Sequence, residues 1–245
     1  MPPSTNDSDR PRTALVAGGG GFLGQAVIAE LLDRGERVAV PYVVPAEAGR
    51  LREQHPQALA DARLRLAECD VTDPASLAAL LDTVVADWGP LWLAASVVGG
   101  WAGGPGLEDA DNLDDIARMH HLNFVSAATV AREGLRHMGP AGGRVVLVGS
   151  RTALRPAAGQ AAYSASKAAV VSLVATLAEE LRGSGRTANA VLPGVIDTPA
   201  NRAAMPDSDH GRWVPPQAIA RVIAWLGSAD SWPVSGAAVP VYGDS

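Results

Sequence analysis

Thr13-Ala14-Leu15-Val16-Ala17-Gly18-Gly19-Gly20-Gly21-Phe22-Leu23-Gly24 is the stretch that decides the fold. Its first five residues form an apolar run of strand type, and Gln25 to Arg34 behind it is amphipathic, so the glycines join a strand to a helix. Read as Gly18-x-x-Gly21-x-x-Gly24, the join leaves few side chains between a ligand and the unpaired N–H groups of the helix N-terminus. A dinucleotide pyrophosphate is the expected ligand. Glycine in such a connection also serves positive φ or close packing, so the motif takes its meaning from its surroundings.

Outward from this unit, apolar runs alternate with helical stretches. The strands are expected at Thr13 to Ala17, Arg37 to Val43, Arg63 to Ala67, Leu91 to Val98, Arg144 to Gly149, Thr187 to Leu192 and Ala237 to Val241. The helices fall near Phe22 to Arg34, Ala46 to Ala60, Pro74 to Trp88, Asp109 to Met138, Gln160 to Arg182 and Pro215 to Gly227. This order predicts an α/β fold: a Rossmann-like, doubly wound, seven-stranded parallel sheet with helices on both faces. Ligands in such sheets bind beyond the strand carboxyl ends, where the strand order reverses. Asp73-Pro74 supplies an N-cap and a first-turn proline, Gly89-Pro90 ends the same helix, and Pro56 divides the stretch from Ala46 to Ala60. Residues 1–12 read as a disordered tail, 13–245 as a single domain, and Gly99 to Gly106 as a loop.

Composition narrows the function. Hydrophobic residues make up 47% of the 245 and charged residues 19%, a globular balance with a core of Ala, Val and Leu because aromatics reach only 4%. The net charge of −6 and the lack of any Lys/Arg run argue against nucleic acid or membrane as partners and for a small molecule. The single Cys69 forms no intrachain disulfide, and Met1 to Asp9 lacks the basic and apolar parts of a secretion signal, so a cytoplasmic protein is expected. The apolar helix segment from Ala168 to Ala178 reads as too short to cross a bilayer. No metal site is assigned.

Tyr163 and Lys167 are four apart in one helical stretch and share a face. A phenol of pKa ≈ 10 is a weak acid and base near neutrality, and a nearby ammonium favours its charged form. Ser150 stands at the end of the fifth strand, where residues reach the ligand crevice, and Asn123 lies on the preceding helical stretch. A hydroxyl, a phenol, an amine and an amide together could move a proton at one carbonyl.

With these pieces in order, the chain resembles the compact, single-domain branch of the short-chain dehydrogenase/reductase family from Thr13 to Tyr242. The resemblance rests on the glycine unit, Cys69-Asp70-Val71-Thr72-Asp73, Asn123, Ser150, Tyr163-Ser164-Ala165-Ser166-Lys167 and Pro193-Gly194-Val195-Ile196-Asp197-Thr198-Pro199. It implies a catalytic set of Asn123, Ser150, Tyr163 and Lys167. Tyr163 would be the acid in reduction and the base in oxidation, and Lys167 would lower its pKa and hold the nicotinamide ribose. Ser150 would position the carbonyl, and Asn123 would hold a water linking Lys167 to solvent. The implied dinucleotide contacts are Gly18, Gly21, Phe22, Leu23 and Gly24 at the pyrophosphate, Tyr42 near the adenosine ribose, and Asp70 and Val71 at the adenine. Ser96, Gly99, Pro193 and Gly194 would line the crevice beside Tyr163 and Lys167, with Ile196 and Thr198 at the carboxamide.

Two departures stand out. The branch usually reads Thr-Gly-x-x-x-Gly-x-Gly, whereas here Ala17 replaces the Thr and Phe22 stands at the second glycine. Its usual Asn-Asn-Ala-Gly is Ser96-Val97-Val98-Gly99, which leaves Ser96 or water to support the central strand. At the end of the second strand Tyr42 and Val43 offer neither an acid for a ribose 2′-OH nor an Arg for a 2′-phosphate, and Arg50 reads as solvated. The cofactor is therefore NAD(P)(H), with a lean to NADPH for want of a repelling acid. Trp101, Met205 and Trp213 are candidate apolar walls, and Arg151 and Arg155 candidate contacts for an anionic substrate. The implied activity is reduction of a ketone or aldehyde, or oxidation of the alcohol, by a homodimer or homotetramer. A non-redox isomerase, dehydratase or cyclase and a non-enzymatic dinucleotide sensor are the alternatives.

Overall fold

The computed structural model describes residues 11–108 and 113–244. Nearly all of the expected tail and the start of the stretch from Asp109 lie outside them. Seven strands, β1 (Thr13–Ala17), β2 (Arg37–Tyr42), β3 (Leu64–Glu68), β4 (Leu91–Ser96), β5 (Gly143–Val148), β6 (Arg186–Pro193) and β7 (Ala238–Val241), form one sheet in the order 3-2-1-4-5-6-7. Every pairing is parallel. The order reverses between β1 and β4, which makes their carboxyl ends the ligand crevice of the fold.

Both faces of the sheet are covered, so the inner strands carry long apolar runs rather than a polar–apolar alternation. Leu15, Ala17, Ala94, Val145, Leu147 and Ala190 point into one core, shared with α4 (Pro74–Trp88), α6 (Ser126–His137) and α7 (Ala161–Glu180). Val16, Val38, Leu93, Val146 and Val191 point into the other, shared with α1 (Phe22–Asp33), α2 (Pro45–Gln54) and α9 (Pro216–Leu226). Pro41 lies past the last residue of β2 that pairs with β1, so its missing N–H breaks no rung of that ladder.

Pro56 does divide the second helical stretch, and α3 (Pro56–Ala60) follows α2. Asp73 caps α4 by accepting from the Ala75 N–H at 2.9 Å. Three features differ from the expectation. Between α5 (Leu113–Met119) and α6 the helix widens into a π-helical turn, His120–Val125. The loop after β6 contains α8 (Pro199–Ala204), begun by Thr198 as N-cap. Finally, α7 runs for 20 residues, long and apolar enough to cross a membrane by length and composition, which the shorter expected segment was not. It lies instead along β6, with Ser166 and Lys167 buried on its inner side.

Candidate active site

The glycine loop is shaped by close approach. Gly18 has φ +84° and sits on the end of β4: a Cβ there would lie 2.7 Å from the Val98 nitrogen. Gly24, in the first turn of α1, has no room for a Cβ beside the Gly18 carbonyl oxygen and the Gly19 Cα. Gly21, by contrast, faces open space, with only the Gly18 oxygen 3.7 Å from where its Cβ would be. α1 starts at that opening with no side-chain cap and no acid in its first turn. Its first N–H groups are therefore free for an anion, with no acid of the helix itself opposing it. A pyrophosphate fits this cradle, and the shift of a glycine from position 22 to 21 leaves it intact.

Ser150 stands just beyond β5 and caps a short 3₁₀ turn, its Oγ accepting from the Thr152 hydroxyl at 3.0 Å and from the Thr152 N–H at 3.2 Å. Tyr163 lies in the first turn of α7. Burial pushes the Tyr163 phenol above its ordinary value, and the neighbouring Ser150 side chain pulls the other way. Lys167, one turn further on, is fully buried, and its Nζ donates to the Val148 carbonyl at 2.9 Å. Burial lowers its pKa to about 8.

Asn123 sits in the π-helical turn and is 1% exposed. Its Oδ1 accepts from the Gly100 N–H at 2.9 Å, and its Nδ2 donates to the Gly100 oxygen at 3.2 Å and to Ser166 Oγ at 2.9 Å. Ser166 in turn donates to the Tyr163 carbonyl at 2.7 Å. Asn123 thus ties the loop after β4 to the helix that carries Tyr163. Gly99 lies between Asn123 Oδ1 and Lys167 Nζ, which would stand 2.9 and 3.0 Å from its Cβ. Sequence reasoning passed over Ser166, although its place beside Tyr163 and Lys167 was a signal.

The remaining predicted positions spread around the same end of the sheet. Ser96 is 2% exposed and its hydroxyl has no partner among the described residues, so it does not replace the missing Asn as a brace for β4. Asp70 accepts from the Thr72 N–H and hydroxyl, both at 2.8 Å, which holds its carboxyl below the usual range. Val71 is buried in the core. Pro193 ends β6, the Gly194 N–H donates to Val241, and Ile196 bridges to Val214. The Thr198 hydroxyl accepts from the Asn201 N–H at 3.2 Å. Of the proposed walls, Trp101 is exposed and Met205 is at the surface, whereas Trp213 is buried against His210. Arg151 lies over the Tyr242 ring at 5.5 Å. A separate depression of about 570 Å³ lies at the amino ends of the strands. Its arginines are met by Trp88 O, Leu32 O and Asp87, and it shares nothing with this site.

Residues 12–209 match the short chain dehydrogenase family, and the chain belongs to it. The cyclic-di-GMP-binding biofilm dispersal mediator protein of Escherichia coli (strain K12) is 33% identical over 92% of this chain and 93% of its own length. The cis-4-hydroxycyclohexanecarboxylate dehydrogenase of Sinomonas cyclohexanicum is also 33% identical, over 95% of each. A short-chain dehydrogenase/reductase from Serratia marcescens BCRC 10948 superposes with a TM-score of 0.86 at 29% identity, covering 97% of this chain and 98% of that one. A blue fluorescent protein from a metagenomic library, solved with NADPH, gives 0.85 at 28%, with the same coverage. Family and relatives together make the chain an oxidoreductase.

Proposed function

We propose that the chain reduces a ketone or aldehyde with NAD(P)H, or oxidises the corresponding alcohol, in the crevice at the carboxyl ends of β1, β4 and β5. The observation that carries this reading is the placing of Ser150 just beyond β5, where its side chain pulls down the pKa of the Tyr163 phenol, with buried Lys167 one helical turn further along α7. When bound, the nicotinamide supplies or accepts the hydride. Tyr163 gives its phenolic proton to the carbonyl oxygen in reduction and takes it back in oxidation, and the Ser150 hydroxyl orients that oxygen. Lys167 can turn its ammonium from the Val148 carbonyl toward the nicotinamide ribose and the phenol, and Asn123 holds the backbone beside it. Gly18, Gly21, Phe22, Leu23 and Gly24 take the pyrophosphate, Asp70 and Val71 the adenine, and Ile196 and Thr198 the carboxamide. Helices α6 and α7 suit pairing into a homodimer or homotetramer.

The deciding experiment is to follow reduced cofactor while a panel of ketones and aldehydes is offered. Stoichiometric loss of cofactor with alcohol formation is the expected result. Product without loss of reduced cofactor would point to the isomerase, dehydratase or cyclase alternative. The Escherichia coli relative's name supports a second reading, nucleotide binding without turnover. For this chain it would require tight dinucleotide binding and no turnover of any carbonyl in the panel.

A further inference from the structure

Just beyond the end of β2, where the fold places the adenosine ribose, Val43 and Val44 are exposed and carry no charge. Beyond them the chain turns at once into α2, and this turn brings Glu47 back over the glycine loop. The Glu47 side chain lies along Gly20, whose Cβ would stand 2.6 Å from Glu47 Cβ and overlap its carboxylate. Gly20 is buried. The two segments are fastened together: Gln54 Nε2 donates to Gln25 Oε1 at 3.0 Å, and Gln25 Nε2 donates to the Gly20 carbonyl at 2.8 Å. Ala48 and Leu51 seat the inner face of α2 on the core. Glu47 therefore holds its place through its helix rather than through a partner of its own. Among the described residues the Glu47 carboxylate has no hydrogen-bond or ion-pair partner.

We infer that Glu47 sets the nucleotide preference, accepting from the adenosine ribose 2′-hydroxyl and repelling a 2′-phosphate, so that NADH is favoured over NADPH. The inference rests on the dinucleotide reading of the Gly18 to Gly24 loop. An ionised carboxylate is an acceptor only, which matches a ribose hydroxyl and opposes a second anion. An acid roughly 20 residues beyond the glycine motif does this work in dinucleotide folds. Glu47 takes that role from within α2, at a position that reads in sequence as a solvated helix face. The lean to NADPH rested on the want of an acid near the ribose, and Glu47 supplies one. Arg50, the one cation weighed for a 2′-phosphate, is exposed one turn further along the helix.

The test is binding without turnover. Dissociation constants for NADH and NADPH are measured by nicotinamide fluorescence, with no carbonyl present, on the full chain and on Glu47→Gln and Glu47→Arg. The full chain should bind NADH about tenfold or more tightly than NADPH, the size expected of a like-charge contact at a partly screened site. Glu47→Gln keeps the side-chain length and should shrink that ratio about tenfold, chiefly by tightening NADPH, and Glu47→Arg should invert it. Preference of the unaltered chain for NADPH, or a ratio that Glu47→Gln leaves unchanged, would overturn the inference alone. Failure of the folded, unaltered chain to bind either nucleotide would overturn the dinucleotide reading and the inference with it.

Discussion

Tyr163→Phe is expected to lower kcat by a factor of ~10² to 10⁴ while leaving cofactor affinity within a few-fold, the range associated with loss of a general acid. The phenol stands in the first turn of α7, where the Ser150 side chain beyond β5 lowers its pKa against the effect of burial. Phe keeps the ring and its packing and removes only the proton donor, so the loss belongs to chemistry rather than to folding. Steady-state turnover and fluorescence titration of the cofactor, run on the same preparation, separate the two. Turnover equal to that of the unaltered chain would exclude Tyr163 as the acid.

Lys167→Met should make the protein more stable and inactive at once. Burial has lowered the Lys167 pKa from 10.5 to about 8, so near neutrality the chain folds around an ammonium that its interior disfavours. At 1.36 kcal/mol per unit this costs about 3 kcal/mol below pH 8, and losing the bond to Val148 O returns about 1 kcal/mol of it, leaving a net gain of roughly 2 kcal/mol. The sign of the pH dependence follows from the same group. Between about 8 and 10.5 the unfolded chain holds the proton and the folded chain does not, so stability from this residue rises with pH through that window. Below it both states are protonated and the penalty is constant. Denaturant melts at pH 7 and pH 10 should show the variant's advantage shrinking as the pH rises. A variant less stable than the parent at pH 7 would refute the argument.

The strands were legible because a parallel sheet buried on both faces leaves continuous apolar runs, and Gly and Pro mark their ends. β1 and α4 fall where Thr13, Asp73-Pro74 and Gly89 put them. Tyr163 and Lys167 were legible for a different reason, since four residues on a helix fix a common face whatever surrounds it. What could not be read depends on contacts across the fold. The π-helical turn at Asn123 leaves no mark in local propensity, and α8 is six residues of mixed character held by Thr198 and by Asp197 paired with Arg202. Nor does sequence show that Lys167 spends its hydrogen bond on a strand carbonyl 19 residues away, or that Glu47 folds back on Gly20. Such facts arise only when distant segments meet.

That meeting bears on how the molecule comes to exist. Gly18 rests on Val98, 80 residues later, and β1 joins β4 before either can form the crevice. The contact is strongly non-local, and closing so long a loop is the slow kind of folding event. A fragment that ended before β4 would carry every glycine of the motif and lack the floor they stand on. Nucleotide added to a refolding chain can therefore stabilise the finished product but has no foothold in the first half alone, and should leave the earliest folding phase untouched.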